Sequence, residues 1–253
     1  MALKHADSIW RHLVRMLKFS LLLFPIGLTS CASVATINPQ PESSFQANYS
    51  EAMSAKWKKE IIDTTSGADY LSESERQVII EINLVRTDPP EYARRFIMPI
   101  RTYYHGNLLQ YPGQIAIRTN EGPGAVDECI KQLLIANPQP PLTPKKGLTL
   151  AARNQAKDQS TTGATGHAGS NGSTMEQRID KYGKWHISAG ENIDYGNADA
   201  RKIVASLLID DGVSSRGHRD NPLDPDYAFI GIGVGPHPVY EYMCVMDFAG
   251  DYQ

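Results

Sequence analysis

The feature that most constrains the fold is a two-residue period near the C-terminus. Apolar residues alternate with glycines from Ile230 to Val234, and after the segment GPHPV a second alternating run extends from Tyr240 to Phe248. A two-residue period is typical of a strand, because successive side chains point to opposite faces of a sheet. Two such runs joined by a turn predict an antiparallel hairpin, with His237 solvated in the turn.

Helical patterns precede this hairpin. Ser72 and Glu75 have the Ser-x-x-Glu spacing of a capping box, which predicts that the folded domain and its first helix begin near Leu71. Four further helices are predicted from their apolar faces. They are PPEYARRFI, AVDECIKQLLI with Val126, Ile130, Leu133 and Leu134 on one side, KKGLTLAARNQAKDQS with Leu148, Ala151, Ala152 and Ala156 inward, and DARKIVASLLIDD with Ile203, Val204, Leu207 and Leu208 inward. Helices followed by a hairpin predict an α+β fold rather than a parallel α/β fold.

The N-terminal 70 residues carry signals for export. Basic residues, the short apolar run FSLLLFPIGL and small residues predict a secretory signal over residues 1–30, beginning at Met1 or Met16. The sequence LTSC resembles a bacterial lipobox, which implies cleavage before Cys31 and lipidation of its thiol; the alternative is an ordinary signal peptide. Acyl chains on that thiol would anchor the protein to a membrane, and the polar residues 31–70 predict a flexible tether. The expected location is the bacterial cell envelope, as an outer-membrane lipoprotein, or the extracellular space.

Charge and cysteine content narrow the functional classes. The chain has 253 residues and a formal net charge of −3, so it has no broad basic field and we do not expect nucleic acid as a partner. Besides Cys31, two cysteines occur, Cys129 and Cys244. In an oxidising envelope they either form a disulfide or are buried as small apolar residues, and the sequence leaves both alternatives open.

Four polar residues, which lie in three glycine-containing stretches, are the candidates for a site. His167 and Glu176 lie in GATGHAGSNGSTMEQRI, Glu191 lies in AGENI and His218 lies in RGHRDNP. Each also has a purely structural interpretation. Glu176 could close a capping box with Ser173, Glu191 could bond local backbone amides, and a loop histidine commonly faces solvent.

The residues around His218 suggest how it is held. Arg216 and Arg219 flank it, and Asp210 and Asp211 end the preceding helix, where the helix dipole disfavours acids. We expect these acids to pair with one of the two arginines. His218 itself is expected in a turn that leads into the first strand of the hairpin.

Together these stretches resemble the CAP superfamily, whose SCP domain occurs in cysteine-rich secretory, antigen 5 and pathogenesis-related 1 proteins. The matching stretches are, in order, GHAGSNGSTMEQRI, AGENI, SRGHRDNPLDPDYAFIGIGVG and MCVMDFAG, and the likeness extends over residues 71–253. The resemblance implies an α–β–α sandwich, with a central antiparallel sheet between helical layers. It also implies a cleft of two histidines and two glutamates, here His167, Glu176, Glu191 and His218.

The chain departs from compact members of that family in two respects. Residues 101–144, with their predicted helix, look like an insertion. The chain also lacks the many cysteines and the cysteine-rich extension of eukaryotic secreted members. Toxin-like or channel-blocking roles that depend on such an extension are therefore not expected.

The leading functional hypothesis is a metal-binding cleft. Imidazoles bind divalent metals, zinc above all, through one nitrogen each. His167 and His218 alone would make a weak and open metal site, with Glu176 and Glu191 holding water or orienting the rings. The resemblance implies the same site, because family members are reported to bind divalent metal at the paired histidines. We therefore expect a cleft that binds a divalent metal and a ligand or partner, with no other cofactor.

Two alternatives use the same domain. A metal-dependent hydrolase, protease- or esterase-like, would use Glu191 or Glu176 as general base together with His167 and His218, although a catalytic zinc usually has three protein ligands. A serine hydrolase would need a serine such as Ser170 or Ser173 beside His167, but no Gly-x-Ser-x-Gly motif frames either.

The second alternative is a lipid- or sterol-binding module, in which the inserted helix lines an apolar cleft. The expected partner is an envelope, lipid or host component.

Overall fold

The computed structural model describes residues 57–253. The predicted signal sequence, the predicted lipidation site at Cys31 and the predicted tether up to residue 56 lie outside the described residues. Within residues 57–253, no helix combines the length and the apolar character that crossing a bilayer requires.

A four-stranded sheet forms the centre of the domain. Its strands are β4 (Thr143–Pro144), β5 (Trp185–Tyr195), β6 (Phe229–His237) and β7 (Glu241–Tyr252). They lie in the order β4–β6–β7–β5. β6 and β7 form the predicted antiparallel hairpin, with Ile230 opposite Phe248, and β5 pairs antiparallel with the other side of β7. The two-residue β4 runs parallel to β6. β5, which the sequence analysis did not predict, is an edge strand of this sheet.

Helices cover both faces of the sheet. They are α1 (Lys59–Ile62), α2 (Glu73–Thr87), α3 (Pro89–Tyr92), α4 (Pro123–Ile135), α5 (Lys146–Thr162), α6 (Met175–Ile179), α7 (Ala200–Ile209) and α8 (Gly217–Leu223). On one face, Ala152 and Ala156 of α5 share an apolar cluster with Val245 of β7. On the other face, α2, α4 and α7 form a large apolar cluster that includes Phe248 of β7. The expected α+β class and the α–β–α layering are both observed.

The glycines of β6 explain why the strand alternates. A Cβ atom at Gly231 would collide with the backbone of Leu148, and one at Gly233 would collide with the backbone of Ala152. Both of these neighbours belong to α5, so the glycines let that helix lie directly on the strand. Ile232 points to the opposite face and joins the large cluster.

The main predicted helices are confirmed. The Ser72–Glu75 capping box begins α2, and the inward faces predicted for α5 and α7 are buried. On α4, Val126 and Leu133 are fully buried, and Ile130 packs half-buried against the same cluster. This stripe therefore packs on the core and does not line an apolar cleft.

The predicted insertion is only partly helical. The segment before it forms α3, a π-helical turn (Ala93–Ile97) and a 3-10 helix (Met98–Tyr103). Three short strands then make a separate antiparallel sheet: β1 (Tyr104–His105), β2 (Leu108–Leu109) and β3 (Ile117–Arg118). The sequence predicted only the helix here, because two-residue strands are too short to show a two-residue period.

The structure corrects the start of the folded domain. Trp57, Ile62 and Ala68 are buried in the large apolar cluster, although the sequence analysis placed them in the tether. The segment KWKKEII could be interpreted as a short helix, which is observed as α1, but the many polar residues around it gave no sign that its apolar side chains belong to the core. The domain therefore includes residues from Trp57 onward, not only those after Leu71.

Of the two alternatives for the cysteines, the structure has the apolar one. Cys129 of α4 and Cys244 of β7 are both buried and free, and each packs in the large apolar cluster. Burial raises the pKa of the Cys129 thiol to about 12, so this thiol stays protonated. The disulfide alternative is therefore not realised.

His237 is buried rather than solvated. Its Nε2 lies 3.0 Å from the carbonyl oxygen of Ala164, and the backbone N–H of Val239 donates to its Nδ1 at 3.2 Å. The backbone of the turn after β6 covers the His237 side chain. The position of His237 between two prolines in the sequence did not indicate this burial.

Candidate functional site

His167 lies on the loop that follows α5. The helix is capped by Gly163 in the left-handed conformation, with φ of 69°. Tyr195 accepts a hydrogen bond from the N–H of Gly166 at 2.9 Å, and Gln159 donates to the carbonyl oxygen of Gly166 at 2.6 Å. Since Tyr195 belongs to β5 and Gln159 to α5, two regular elements fix the loop that presents the imidazole.

A buried glutamate orients this imidazole. Nδ1 of His167 lies 2.9 Å from Oε1 of Glu191, which projects from β5. Arg178 of α6 donates to the other oxygen of Glu191 at 2.6 Å and to the carbonyl oxygen of His167 at 2.9 Å. The side chains of Arg178 and Glu191 are each 2% exposed, whereas that of His167 is 53% exposed. Arg178 thus balances the buried charge while the ring reaches solvent.

A second buried acid lies beside this ion pair. Asp247 of β7 is directly opposite Glu191 in the sheet and is fully buried. Burial, and then the negative charge of Glu191, raise the pKa of Asp247 well above its usual range. The neutral form of Asp247 is therefore favoured, which leaves Glu191 as the charged partner of Arg178.

His218 is presented by a helix, not by the predicted turn. It is the second residue of α8. Arg216, the N-cap of this helix, adopts a left-handed backbone with φ of 55°. Asp210, the C-cap of α7, lies 2.7 Å from Nδ1 of His218 and accepts its backbone N–H at 3.0 Å. The sharp corner between α7 and α8 therefore places a buried carboxylate against the ring.

The arginines that flank His218 fasten α8 to the insertion. Arg216 contacts Glu121 at 2.6 Å and Glu128 at 2.7 Å, and Arg219 contacts Glu128 at 2.8 Å. Hydrogen bonds from Arg216 lower the pKa values of both glutamates to about 2, so both stay ionised. These ion pairs thus tie the start of α8 to residues before and within α4.

The predicted pairing of the acids that end α7 is wrong. Asp210 bonds His218, and only its carbonyl oxygen accepts from the Arg216 side chain, at 2.8 Å. Asp211 accepts the backbone N–H groups of Asn120 and Glu121, at 2.6 and 2.8 Å. Backbone donors and an imidazole satisfy these carboxylates, so the arginines are left for the glutamates of the insertion.

The two imidazoles lie next to each other. The ring centroids of His167 and His218 are 6.2 Å apart, and their planes differ by 30°. Each Nδ1 bonds a carboxylate, and an ionised carboxylate only accepts hydrogen bonds. Each neutral ring therefore carries its proton on Nδ1, and its Nε2, which has no hydrogen bond among the described residues, keeps a lone pair. This is the tautomer that binds a metal.

Glu176 lies beside this group without bonding to it. It lines a cavity of about 450 Å³ together with His167 and Glu191. Within residues 57–253, no hydrogen bond joins Glu176 to Glu191 or to either histidine. A hydrogen bond with the side chain of Thr174 lowers the pKa of Glu176, so the cavity carries an ionised carboxylate.

The structural interpretation of Glu176 as a capping residue is wrong. Thr174 and Gln177 form the capping box that begins α6, one residue later than the Ser173–Glu176 pair. The two pairs have the same spacing, and only the observed start of the helix distinguishes them. Glu176 is thereby left facing the cavity.

The donor set fits a metal only as an open site. Among residues 57–253, no group of three or more histidine, cysteine, aspartate or glutamate side chains is placed to hold a metal ion. Two imidazoles with free Nε2 atoms remain, so water would have to complete the coordination. The serine alternative gains no support, since Ser170 donates to Asp158 at 2.5 Å and no hydrogen bond joins it to His167.

A second cavity, of about 380 Å³, lies on the other side of His218. It is bounded by β5, α7 and the strands of the insertion, and Asp194 of β5 lies in its wall. Asp194 and Glu191 are three residues apart on one strand, so their side chains point to opposite faces of the sheet.

The sequence analysis missed four residues of these surroundings: Arg178, Asp194, Asp210 as the partner of His218, and Asp247. One signal was available for Asp247, because it interrupts the apolar run CVMDFAG. A charged residue in a strand that is buried on both faces is uncommon without a partner.

A family model described as CAP, the cysteine-rich secretory protein family, matches residues 92–248. No curated protein matches significantly. An extracellular protein of Bacillus anthracis that contains an SCP domain is 23% identical over 44% of this chain and 34% of its own, with a TM-score of 0.37. An outer surface protein of Borrelia burgdorferi is 21% identical over 49% of this chain and 86% of its own, with a TM-score of 0.38. The match thus spans about a third of the Bacillus protein.

Proposed function

This chain belongs to the cysteine-rich secretory protein (CAP) family, and from this premise we propose that it is an exported binding protein with a histidine-pair metal site. His167 and His218 take up one divalent ion, zinc above all, and the cleft around them binds an envelope, lipid or host component. Binding is proposed rather than catalysis, because a catalytic zinc usually has three protein ligands.

One observation carries this proposal: both imidazoles have the same support. Nδ1 of His167 is 2.9 Å from Glu191, and Nδ1 of His218 is 2.7 Å from Asp210. Metal-binding histidines almost always donate their other ring N–H to a carboxylate, a carbonyl or water. The two rings come from different elements of the fold, so the repeated arrangement supports a shared role in binding a metal.

The surroundings support uptake of a cation in particular. Glu191 and Asp210 both lie behind the rings, and Glu176 adds an ionised carboxylate to the cavity beside His167. Arg178 is buried behind Glu191 and does not face the open side of the rings. Two ligands make a weak site, which suits an ion that is shared with a bound partner.

The proposed location follows from the N-terminal sequence. Residues 1–30 have the pattern of a secretory signal, and LTSC places Cys31 where a lipoprotein carries its acyl chains. A test is metabolic labelling with palmitate in a bacterial host. We expect label on the wild-type chain and on Cys129→Ser, and none on Cys31→Ser; label that persists on Cys31→Ser would contradict the anchor.

The metal site is tested by titrating Zn²⁺ into chelator-stripped full-length protein in a calorimeter. We expect saturable binding of one ion per chain, and its loss in the double variant His167→Ala, His218→Ala. His186→Ala is the matched control, because His186 is an exposed histidine on β5 that lines neither cavity. That control should bind zinc like the wild type.

Circular dichroism and thermal melting would establish that each variant is folded. An absence of heat in the folded wild type would overturn the metal proposal. So would unchanged affinity in the folded double variant, since zinc would then be bound elsewhere.

A further inference from the structure

The second cavity is a binding site in its own right, and we propose that it takes a small organic cation, namely a primary amine with an apolar or aromatic body. Its volume of about 380 Å³ is within the range of small-molecule sites. It lies beside His218 but its walls are mostly other residues. The proposal therefore goes beyond the metal site and does not depend on it.

The walls of the cavity suit an apolar body. Tyr104 of β1 and Tyr111, which follows β2, line it together with Leu207 and Ile209 of α7. Pockets for small molecules are typically lined by aromatic and aliphatic side chains with a few polar groups. The insertion thus supplies one wall, so a chain without residues 101–144 would have an open surface here.

Asp194 supplies the charge that selects a cation. It is buried, with 3% of its surface exposed, and it lines the cavity. Its hydrogen-bond partners are neutral: Asn197, whose amide lies 3.1 Å from both carboxylate oxygens, and the hydroxyl of Ser206. No ion pair joins Asp194 to a lysine or arginine within residues 57–253. Since an ionised carboxylate is costly to bury without a cation, a ligand ammonium would supply what is missing.

The raised pKa of Asp194 agrees with a site that lacks a cation. Burial raises its pKa to about 7, and the hydrogen bonds from Asn197 and Ser206, together with the positive charge that His218 carries when protonated, only partly offset that rise. Half of the molecules would then lack the charge near neutral pH. A bound cation favours the ionised form and would lower this pKa again.

The other charges of the cavity are already committed or exposed. Asp210 bonds His218, and Asp211 bonds backbone amides of the insertion. Lys202 holds its ammonium 5.1 Å from the ring centroid of Tyr111, and Arg118 is exposed at the edge. An anionic ligand would lie beside three carboxylates, so the deep part of the cavity disfavours it.

Tyrosine faces add to the attraction. The contact between Lys202 and Tyr111 shows that a cation is already held on one aromatic face of this cavity. Tyr104 offers a further ring to a ligand ammonium or to an aromatic body. Cation–π contacts of this type are used to recognise organic ammonium groups.

The test uses three probes of one shape and different charge. 2-Phenylethylamine, 2-phenylethanol and 3-phenylpropionate are titrated into full-length protein at pH 8 in a calorimeter, with EDTA present so that the histidine pair holds no metal. We expect saturable binding of the amine, at least about tenfold tighter than that of the alcohol, because a charge-assisted bond to Asp194 is lost in the alcohol. Equal or tighter binding of the alcohol or the carboxylate would overturn the proposal.

Variants assign the binding to this cavity. Asp194→Asn keeps the shape of the side chain, and we expect it to weaken the amine at least about tenfold while leaving the alcohol unchanged. Tyr111→Leu, at the wall, should weaken both probes. Asp226→Asn is the control, since Asp226 is an exposed acid outside the cavity.

If Asp194→Asn does not fold, Tyr111→Leu still decides the outcome. Unchanged amine affinity in folded Tyr111→Leu, or in folded Asp194→Asn, would place the amine elsewhere and overturn the proposal. Because EDTA is present throughout, failure here leaves the zinc experiment unaffected, and failure of the zinc experiment leaves this one unaffected.

Discussion

His167 and His218 reach the same arrangement by different means. His167 lies on a loop, and its carboxylate, Glu191, is charge-balanced by the buried Arg178. His218 lies on a helix, and its carboxylate, Asp210, is held by the backbone N–H of His218 itself. One half thus depends on a buried ion pair and the other on a helix corner. The two halves should therefore respond differently to substitution.

The largest effect is expected from Arg178→Met. This change leaves Glu191 buried without its cation, next to Asp247, and removes the bond to the carbonyl oxygen of His167. Loss of one partner of a buried pair typically costs about 3–5 kcal/mol of unfolding free energy. Urea denaturation would measure it.

The matched control for that change is Lys184→Met. Lys184 pairs with Asp180 at 3.2 Å, and both side chains are largely exposed. Exposed pairs contribute about 0–1 kcal/mol, so this variant should stay close to the wild type. Equal losses in Arg178→Met and Lys184→Met would show that the buried pair is not what holds the His167 half.

The next prediction compares the two carboxylates directly. Glu191→Gln and Asp210→Asn should each weaken zinc binding by about 10- to 100-fold, because each replaces a charged acceptor with an amide, whose N–H₂ group can donate to Nδ1 and so favour the wrong histidine tautomer. The two variants should differ in their free energy of unfolding. Glu191→Gln leaves the buried Arg178 unpaired and should lower the unfolding free energy more than Asp210→Asn.

Calorimetry and urea denaturation on the same two proteins would check both parts. If the two variants lose stability equally, the ion pair behind His167 does not contribute more to stability than the helix corner behind His218. If neither weakens zinc binding, the carboxylates do not orient the rings for a metal.

A pH dependence is expected on the His218 side. Burial raises the pKa of Asp194 from its ordinary value of 3.8 to about 7, so the folded protein binds this proton more tightly than the unfolded chain. The contribution of Asp194 to stability is therefore full below about pH 4 and is lost as the pH rises through about 7.

Asp194→Asn should remove this fall in stability between pH 4 and pH 7. Compared with the wild type, the variant should therefore be more stable at pH 8 than it is at pH 5. Thermal melting of both proteins between pH 4 and pH 8, against Asp226→Asn, would measure it. An identical profile in wild type and Asp194→Asn would mean that Asp194 titrates at an ordinary pKa.

The smallest effect is expected from Glu121→Gln. Glu121 is one of two glutamates that contact Arg216, and it is solvent-exposed, so Glu128 can keep the arginine in place. We expect little change in melting temperature and no change in zinc affinity. A clear loss of zinc binding would show that the arginine contacts to the insertion set the position of His218.

Much of the fold was predictable because local patterns agree with it. The β6–β7 hairpin was visible as a two-residue period, and the capping box of α2 was visible at Ser72 and Glu75. β5 was missed because its buried stretch contains the polar residues Glu191, Asn192 and Asp194, so it shows no apolar alternation. The short strands of the insertion are fixed by tertiary packing and leave no periodic signal.

For the site, the motifs identified the histidines but not their supports. His167, Glu191 and His218 were named from sequence, and the structure brings them together. Arg178 and Asp210 were not assigned their roles, because a buried charged partner has no motif. Its identity depends on which side chain of a distant element faces it.

The sequence alone determined the main helices, the hairpin, the family and the histidines that carry the proposed metal site. These properties reside in local periodicity and in short motifs with fixed spacing. Only the tertiary structure decided that Cys129 and Cys244 stay free, that Asp210 rather than an arginine faces His218, and that residues of the insertion close a second cavity over Asp194. Each of these depends on contacts between residues far apart in the chain, which no local pattern encodes.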